Sequence, residues 1–582
     1  MKFFDINILD LFKKKKKVPM PWAKFYREDE LKFKIPDISL YEQIKDSSEK
    51  YSNYYAYEYL GKKVKYKKFM KQINITSIAY KKLGIKKGDI INICLPNLPE
   101  AIISVYALNR MGAIAKMIHP LSAEAEIKES LLSTKSKYLI MTDMFYSKIK
   151  DIIHSTNVKK VIFVSASNSM KFYMKLPYKL MNIGKFEKYK RSKKFISWTE
   201  FYLSGLGGKN ITFKHYGKNT PAVILHSGGT SGKPKNVVIQ NRAFVMGAIQ
   251  AGISFPNMYP GDSVTAIMPN FHGFGLSVCM HTTMVLGFRS ILVPQFDSKK
   301  FDVLFNKTKP NAIVGVPTLF EALTNNNNVK DLDLSYLKYA ISGGDLLPKN
   351  LEDRINNYFQ SHNSNAHVTQ GYGLTEALAA VCMGHDDVYK SGSIGIPLPG
   401  NLVKIIDPAT RKTLPYGEVG EIVIHTRGLM MGYLNNESET NDALQLHDDG
   451  YVWLHTGDLA YMDDEGFIFY KGRQKRMIIC SGYNVFPSHV EEVIESHPAV
   501  LQCSVVGMPH PYKQEVPKAF IILKEGFHGL FIKNEIKEYC KKNLEHHAVP
   551  YRFVYRKQLP KTKVGKVDFR KLMEDNGADD DE

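Results

Sequence analysis

The feature that most constrains this chain is the loop Leu225-His-Ser-Gly-Gly-Thr-Ser-Gly-Lys-Pro-Lys235, set directly after the apolar run Ala222-Val-Ile-Leu225. Eight of its eleven positions are Ser, Thr, Gly or Lys. Glycines let the backbone turn where side chains would clash, so successive N–H groups can converge on an anion. The hydroxyls of Ser227, Thr230 and Ser231 add donors, and Lys233 and Lys235 add charge. A loop of this kind following a strand can hold a polyphosphate. Its spacing is not the Walker pattern, because no Gly-Lys-Ser/Thr closes a four-residue gap after a glycine.

Around that loop, strand and helix patterns alternate. Phe69, Ile73, Ile78 and Leu83 fit a helix ending at Gly84, Asp89–Leu95 reads as a strand stopped by Pro96, and Glu100–Met111 is helical again. Tyr138–Thr142, Val161–Val164, Ser263–Met268 and Ala312–Val316 read as further strands. This alternation predicts an α/β fold of parallel sheets with helices on both faces. From Gly417 the strands shorten and glycines multiply, and a compact unit begins near Lys475. At 582 residues the chain is too long for one core. The expected division is a basic N-terminal extension (1–40), a large unit of β/α/β sheet subdomains (41–473) and a small, mobile C-terminal α+β unit (474–582).

Composition narrows the setting. Six scattered cysteines with no CxxC pair suit a reducing, cytoplasmic compartment. The net charge of +21 is large, but the lysines are spread along the chain and no fold-defining nucleic-acid motif appears, so no nucleic-acid partner is expected. The start, Met1 to Phe12 followed by Lys13 to Lys17, is not a secretory signal: Asp5 and Asp10 interrupt it and the lysines come after the apolar stretch. Phe3, Phe4, Ile8, Leu11 and Phe12 can share a helical face beside that polybasic patch. Lys171 to Lys194 forms a second basic and aromatic excursion. Both suit a solvated segment or peripheral contact with the anionic inner face of a membrane. The acidic end, Asp579 to Glu582, reads as disordered.

Three further clusters carry chemistry. Gln370-Gly-Tyr-Gly-Leu-Thr-Glu376 offers a backbone that can approach a flat ligand, a stacking ring on Tyr372, and the hydroxyl and carboxylate of Thr375 and Glu376. A carboxylate beside phosphates calls for a bridging Mg²⁺. His455-Thr-Gly-Asp458, followed by Lys471-Gly-Arg-Gln-Lys-Arg476, pairs an Asp able to accept two ribose hydroxyls with the planar fork of Arg473. Leu559-Pro-Lys-Thr-Lys-Val-Gly-Lys566 holds a lysine on a loop that can reach developing charge.

In this order the clusters resemble the adenylate-forming superfamily of acyl-CoA synthetases, luciferases and peptide-synthetase adenylation domains. The resemblance runs from about Tyr41 to Met573 and takes in Pro269-Asn-Phe-His-Gly-Phe-Gly275, Ser342-Gly-Gly344 and Gly417-Glu-Val-Gly-Glu421. It implies that Ser227, Gly228, Gly229, Thr230, Ser231, Gly232 and Lys235 hold the β- and γ-phosphates of ATP. Gly343, Gly344 and Tyr372 would enclose adenine, Thr375 would touch the α-phosphate, Glu376 would hold Mg²⁺, and Asp458 with Arg473 would bind ribose. Lys566 would bridge the acyl carboxylate and α-phosphate, with His272 near that carboxylate, and Lys475 would be the hinge. Rotation there would withdraw Lys566 and bring the loop at Ser481-Gly482 toward a thiol.

The implied reaction is activation of a carboxylic acid by ATP, then transfer to coenzyme A. Pro21–Tyr26 and Ile38–Gln43 are similar to the start of bacterial fatty-acid–CoA ligases, which favours a medium- or long-chain fatty acid. An aryl or short-chain acid, and a carrier protein as acceptor, stay open at this level, as does a homodimer. The chain departs from the family pattern at His226, at Gly228–Ser231, and at Asn236, which stands where glycine is usual.

Overall fold

The computed structural model describes residues 16–182, 192–208, 214–227, 235–326, 332–385, 387–562 and 566–575. The N-terminal helix pattern at Phe3 to Phe12, the loop residues Gly228, Gly229, Thr230, Ser231 and Gly232, and the acidic end lie outside them.

Two large sheets carry the main body. The eight-stranded sheet centres on Ile90–Cys94, whose five residues are all buried, with Ile114–Met117 and Tyr138–Thr142 as parallel neighbours. The helix Pro99–Asn109 is buried on every side, as its almost continuous apolar sequence requires. The nine-stranded sheet lines up Ser263–Ala266, Ala312–Gly315, Tyr339–Gly343 and Val368–Leu374 in parallel. Ligands of open α/β sheets bind beyond the carboxyl ends of such strands, and Gly343 and Gly371, paired in register, stand at those ends.

The sheets are not purely parallel. Antiparallel partners bound the functional strands: Ala379–Met383 beside Val368–Leu374, and Lys235–Gln240 beside Pro221–Ser227. The linkers are too short for helical crossovers, so the chain turns back as hairpins. The second hairpin pairs Ser227 with Lys235, the described residues on either side of the phosphate-loop glycines. A third, five-stranded sheet includes Asn401–Ile406, Gly420–Thr426, Val452–Met462 and Ile468–Arg473, paired antiparallel. A fourth, from Ile478–Cys480 to Arg552–Tyr555, forms the small C-terminal unit and is covered by Pro487–Glu495 and Gly529–Asn543, which bury Val490, Ile494, Ile536 and Cys540. The fold is therefore a large N-terminal α/β body of sheets with a small C-terminal α+β unit.

Residues 17–40 pack on that body rather than apart from it. Trp22 lies in the main core, close enough to the backbone at Gly466 that a Cβ there would meet the Trp22 nitrogen at 2.8 Å. The Lys171–Lys194 stretch contains a helix, Phe172–Met181, despite Pro177 in its interior. All six cysteines are buried free thiols, and no described helix is long and apolar enough to cross a membrane.

One buried charge tests this packing. Glu100, in the first turn of Pro99–Asn109, accepts a 2.6 Å hydrogen bond from the Ser169 hydroxyl, and burial pushes its pKa up to about 7. The unfolded carboxyl titrates near 4.5, so the folded state loses stability as pH rises from there through 7, where ionising Glu100 costs more than in the unfolded chain. Glu100→Gln is expected to raise the melting temperature at pH 8, by no more than about 3 kcal/mol in stability, with the gain vanishing near pH 4. Melting curves of both proteins across that range check it; an equal shift at every pH contradicts the assignment.

Candidate active site

The Asp458 carboxylate is the meeting point of three elements. Val452–Met462 and Ile468–Arg473 pair so that Asp458 faces Arg473 across the ladder, and the Arg473 Nε lies 3.0 Å from Asp458 Oδ1. From the nine-stranded sheet, the Tyr372 hydroxyl donates to Asp458 Oδ2 at 2.7 Å. Asp458 is 2% exposed; burial raises its pKa, and Arg473, Tyr372 and Lys566 pull the other way. The turn before it is fixed from below. Glu421 accepts from the Gly457 N–H at 2.9 Å, and its other oxygen meets His455 Nδ1 at 3.0 Å.

The glycines of the Gln370–Glu376 motif have a steric reason. A Cβ on Gly373 would sit 1.3 Å from the Ala379 carbonyl oxygen of the neighbouring strand, so no side chain fits. Past it the chain turns through a short 3₁₀ segment, Thr375–Ala377, and Leu378 takes the left-handed conformation at φ 67°. That turn leaves Thr375 and Glu376 buried at the cavity edge.

Glu376 is held from both sides of its backbone. Its carbonyl accepts from Met430 N–H at 2.7 Å, and Oε1 accepts from the Tyr433 hydroxyl at 2.9 Å. Tyr433 also lies under the Lys235 ammonium, 4.7 Å from its ring centroid, while Lys235 pairs with Glu439 at 2.6 Å. Thus Tyr433 ties Glu376 to the base of the loop hairpin; nothing in the sequence beyond a Gly-Tyr pair marks it. A lone carboxylate oxygen set suits a hard cation that takes its other ligands from phosphate and water.

Lys566 reaches the same place from the C-terminal unit. Its own turn is closed by Thr562, whose N–H donates to the Lys566 carbonyl at 2.7 Å and whose hydroxyl accepts from Lys566 N–H at 3.2 Å. A Cβ placed on Gly344, which needs φ +83°, would stand 4.0 Å from the Lys566 Nζ. Burial lowers the Lys566 pKa, and Asp345 opposes that. His272 lines the cavity nearby; burial, then the Lys566 charge, pushes it down to about 4, so it is neutral at pH 7. Lys475 lies in the 3₁₀ turn Gln474–Arg476, directly between the third sheet and the C-terminal one.

Beneath the hairpin is a buried pair that reading the sequence missed. Lys116, fully buried, donates from Nζ to Asn236 Oδ1 at 2.6 Å, and burial brings its pKa down to about 7. The Asn standing where glycine is usual thus has a partner of its own in this chain. His226, the residue opposite Asn236 in the hairpin, is pushed down to about 3 by burial and by Lys116.

From Tyr372, Gly343, Gly344, Thr375 and His272 a cavity of about 1050 Å³, open solvent at its mouth included, runs along the helix Asn241–Ser254. Ala243, Met246, Gly247, Gln250, Ala251 and Ser254 face it, one stripe at helical spacing. The π-helix Phe274–Thr282 forms the opposite wall. A second, apolar pocket of about 370 Å³, open solvent included, shares Ala251, Phe255, Val278, Thr282 and Ile341 with the first and continues to Met258, Leu286 and Phe288. A polar, cation-bearing end and a long apolar end therefore meet at one point.

The model of the AMP-binding enzyme family matches residues 44–434, and that of the AMP-binding enzyme C-terminal domain matches 489–566. A long-chain-fatty-acid–CoA ligase of Bacillus subtilis (strain 168) is 30% identical over 566 residues, covering 95% of this chain and 98% of the relative. A probable 4-coumarate–CoA ligase 1 of Dictyostelium discoideum is 32% identical over 448 residues, 76% of this chain and 78% of that one. Among solved structures, the anthranilate CoA ligase AuaEII in complex with anthranoyl-AMP superposes with a TM-score of 0.81 at 21% identity, over 93% of this chain and 98% of its own. The motifs, the fold and these matches agree: the chain belongs to the AMP-binding enzyme family, the adenylate-forming superfamily of AMP-forming acyl-CoA synthetases.

Proposed function

We propose that this protein activates a medium- or long-chain fatty acid with ATP and transfers the acyl group to coenzyme A. The observation that carries the choice of acid is the apolar cavity. From Ala243 to Ser254 its helix wall extends about 17 Å at 1.5 Å per residue, and a second apolar chamber lies beyond Ala251. An aryl acid would fill only the inner end and leave the rest apolar and empty. The relatives include ligases named for both acid classes, so the acid is the point to test.

In this reading the acid's carboxylate attacks the α-phosphorus of ATP, forming the acyl–phosphate bond and releasing pyrophosphate. Two anions must approach, and the side chains present suit that task. Lys566, beside Gly344, would lie between carboxylate and α-phosphate; Ser227, Lys235 and the loop residues would hold the β- and γ-phosphates. Tyr372, Gly343 and Gly344 would flank adenine, Thr375 would contact the α-phosphate, and Asp458 with Arg473 would take the ribose hydroxyls. Glu376 would hold Mg²⁺, whose charge offsets that of the phosphates. His272, neutral, would donate a hydrogen bond without adding charge. The thiolate of coenzyme A then attacks the acyl carbon and AMP leaves.

With Lys566 beside Gly344 taken as the adenylating arrangement, the second half-reaction would call for the unit 474–582 to swing about Lys475, away from 41–473. Lys475→Pro is expected to leave pyrophosphate exchange intact and to slow thioester formation from preformed acyl-adenylate. Wild-type rates in that half-reaction would remove the hinge from the account.

Lys566→Ala should lower acid-dependent pyrophosphate exchange about a hundredfold or more. Because the protonated lysine is the active form and burial lowers its pKa, kcat/KM for ATP should fall at lower pH than an ordinary lysine would give. Lys566→Arg should flatten that alkaline limb; a limb unchanged in the arginine variant would assign it elsewhere.

The acid itself is tested by measuring acyl-CoA and AMP formation across a ladder of fatty acids and several aryl acids. The expected result is a maximum at medium or long chains, shifted to shorter acids by Ala251→Trp, which closes the junction of the two cavities. A maximum at aryl acids, untouched by Ala251→Trp, would overturn the reading. Pyrophosphate exchange with no coenzyme A thioester would point to a carrier protein instead.

A further inference from the structure

The helix Phe172–Met181 turns the wrong face to water. At 100° per residue, Phe172, Leu176, Leu180 and Tyr173 fall within a sector about 100° wide, and they are 91%, 65%, 58% and 68% exposed. Met174 and Tyr178, on the other side, pack against the main core. The anchoring face is therefore already used, and a soluble helix would carry polar residues on the face left over. This one carries an aromatic and aliphatic stripe instead.

The charges on the helix itself are all of one sign. Lys175 and Lys179 stand one turn apart on its flank, and Lys171 is the residue before the first turn. Lys62 joins them by donating from Nζ to the Met170 carbonyl at 3.3 Å, and Lys175 and Lys68 both act on it. The helix contains no acidic residue. Of the two carboxylates near this cluster, Glu100 is buried and engaged by Ser169, and Asp143, half-buried, interacts with Lys179 at the far end of the helix. Like charges gathered at an apolar surface repel one another unless an anionic surface meets them. A second copy of the chain would set these lysines against their own equivalents across a two-fold axis. An anionic bilayer satisfies both features, with rings and leucines entering the interface and lysine stems reaching the headgroups.

We propose that this face docks the protein on an anionic lipid bilayer. The docking needs neither ATP nor an acyl substrate, so it stands or falls independently of the acid the enzyme uses.

Flotation of the full chain with vesicles of phosphatidylcholine alone, and of an equal mixture with phosphatidylglycerol, tests it. Binding is expected to the mixed vesicles only and to weaken as salt rises. Phe172→Ser with Leu176→Ser should reduce the partition by about tenfold or more, and Lys175→Gln with Lys179→Gln by about fivefold per lysine. Phe172, Leu176 and Lys179 are exposed and Lys175 is partly so, so both double variants should melt near the wild-type temperature, which separates lost docking from lost folding. The proposal is overturned if the wild type binds neither vesicle, or binds both equally. Retention of binding in Phe172→Ser with Leu176→Ser would move the docking site to another segment. Sedimentation showing a dimer that this variant dissociates would make the face a self-association surface.

Discussion

A buried carboxylate organises this protein. Asp458 takes the Tyr372 hydroxyl from one sheet and the Arg473 guanidinium from the strand beside it, within 3.0 Å of both. Removing either partner would leave a charge in a dry place, which is costly. Because Arg473 ends the last strand before Lys475, the same contact sets where the C-terminal unit departs. In the proposed mechanism, the ribose position and the pivot of the second half-reaction would both be set by this one ion pair.

The rest of the site is arranged by backbone proximity. Strand ends at Gly343 and Gly371 lie in register, and Gly373 is pressed against the Ala379 carbonyl. Close approach of strands leaves a floor without side chains, on which a flat ring and a phosphate can lie. The apolar cavity begins where that floor stops, bounded by small residues of one helix and the wider turns of a π-helix, a rare form frequent at functional sites. The polar end and the apolar end of the cavity are neighbours because the two sheets meet there.

Much of this was legible in the sequence. Tyr372, Glu376, Asp458, Arg473 and Lys566 stand in short motifs whose residue types carry their chemistry, and the structure brings all five around one cavity or its edge. Strand and helix positions were legible from apolar spacing. What was not legible depends on sheet pairing. Tyr433 and Glu376 are distant in sequence and meet only because Gly432–Tyr433 pairs with the loop hairpin. Lys116 finds Asn236 across an intervening strand. The cavity's extent rests on Ala243, Gly247 and Ala251, which read as ordinary helix residues. The helix at Phe172–Met181 was obscured by its lysines and by Pro177, so its outward apolar face appeared only in three dimensions.

In the proposed mechanism one nucleotide site and one long apolar cavity share a single reacting bond. Calorimetric titration with stable sulfamate analogues of acyl-adenylates, from benzoyl through progressively longer alkyl chains, addresses it directly. Affinity should rise with chain length, by up to about 0.8 kcal/mol per buried methylene, until the cavity is filled, and every analogue should displace AMP. Affinity indifferent to chain length, or analogues that bind alongside AMP, would contradict the claim.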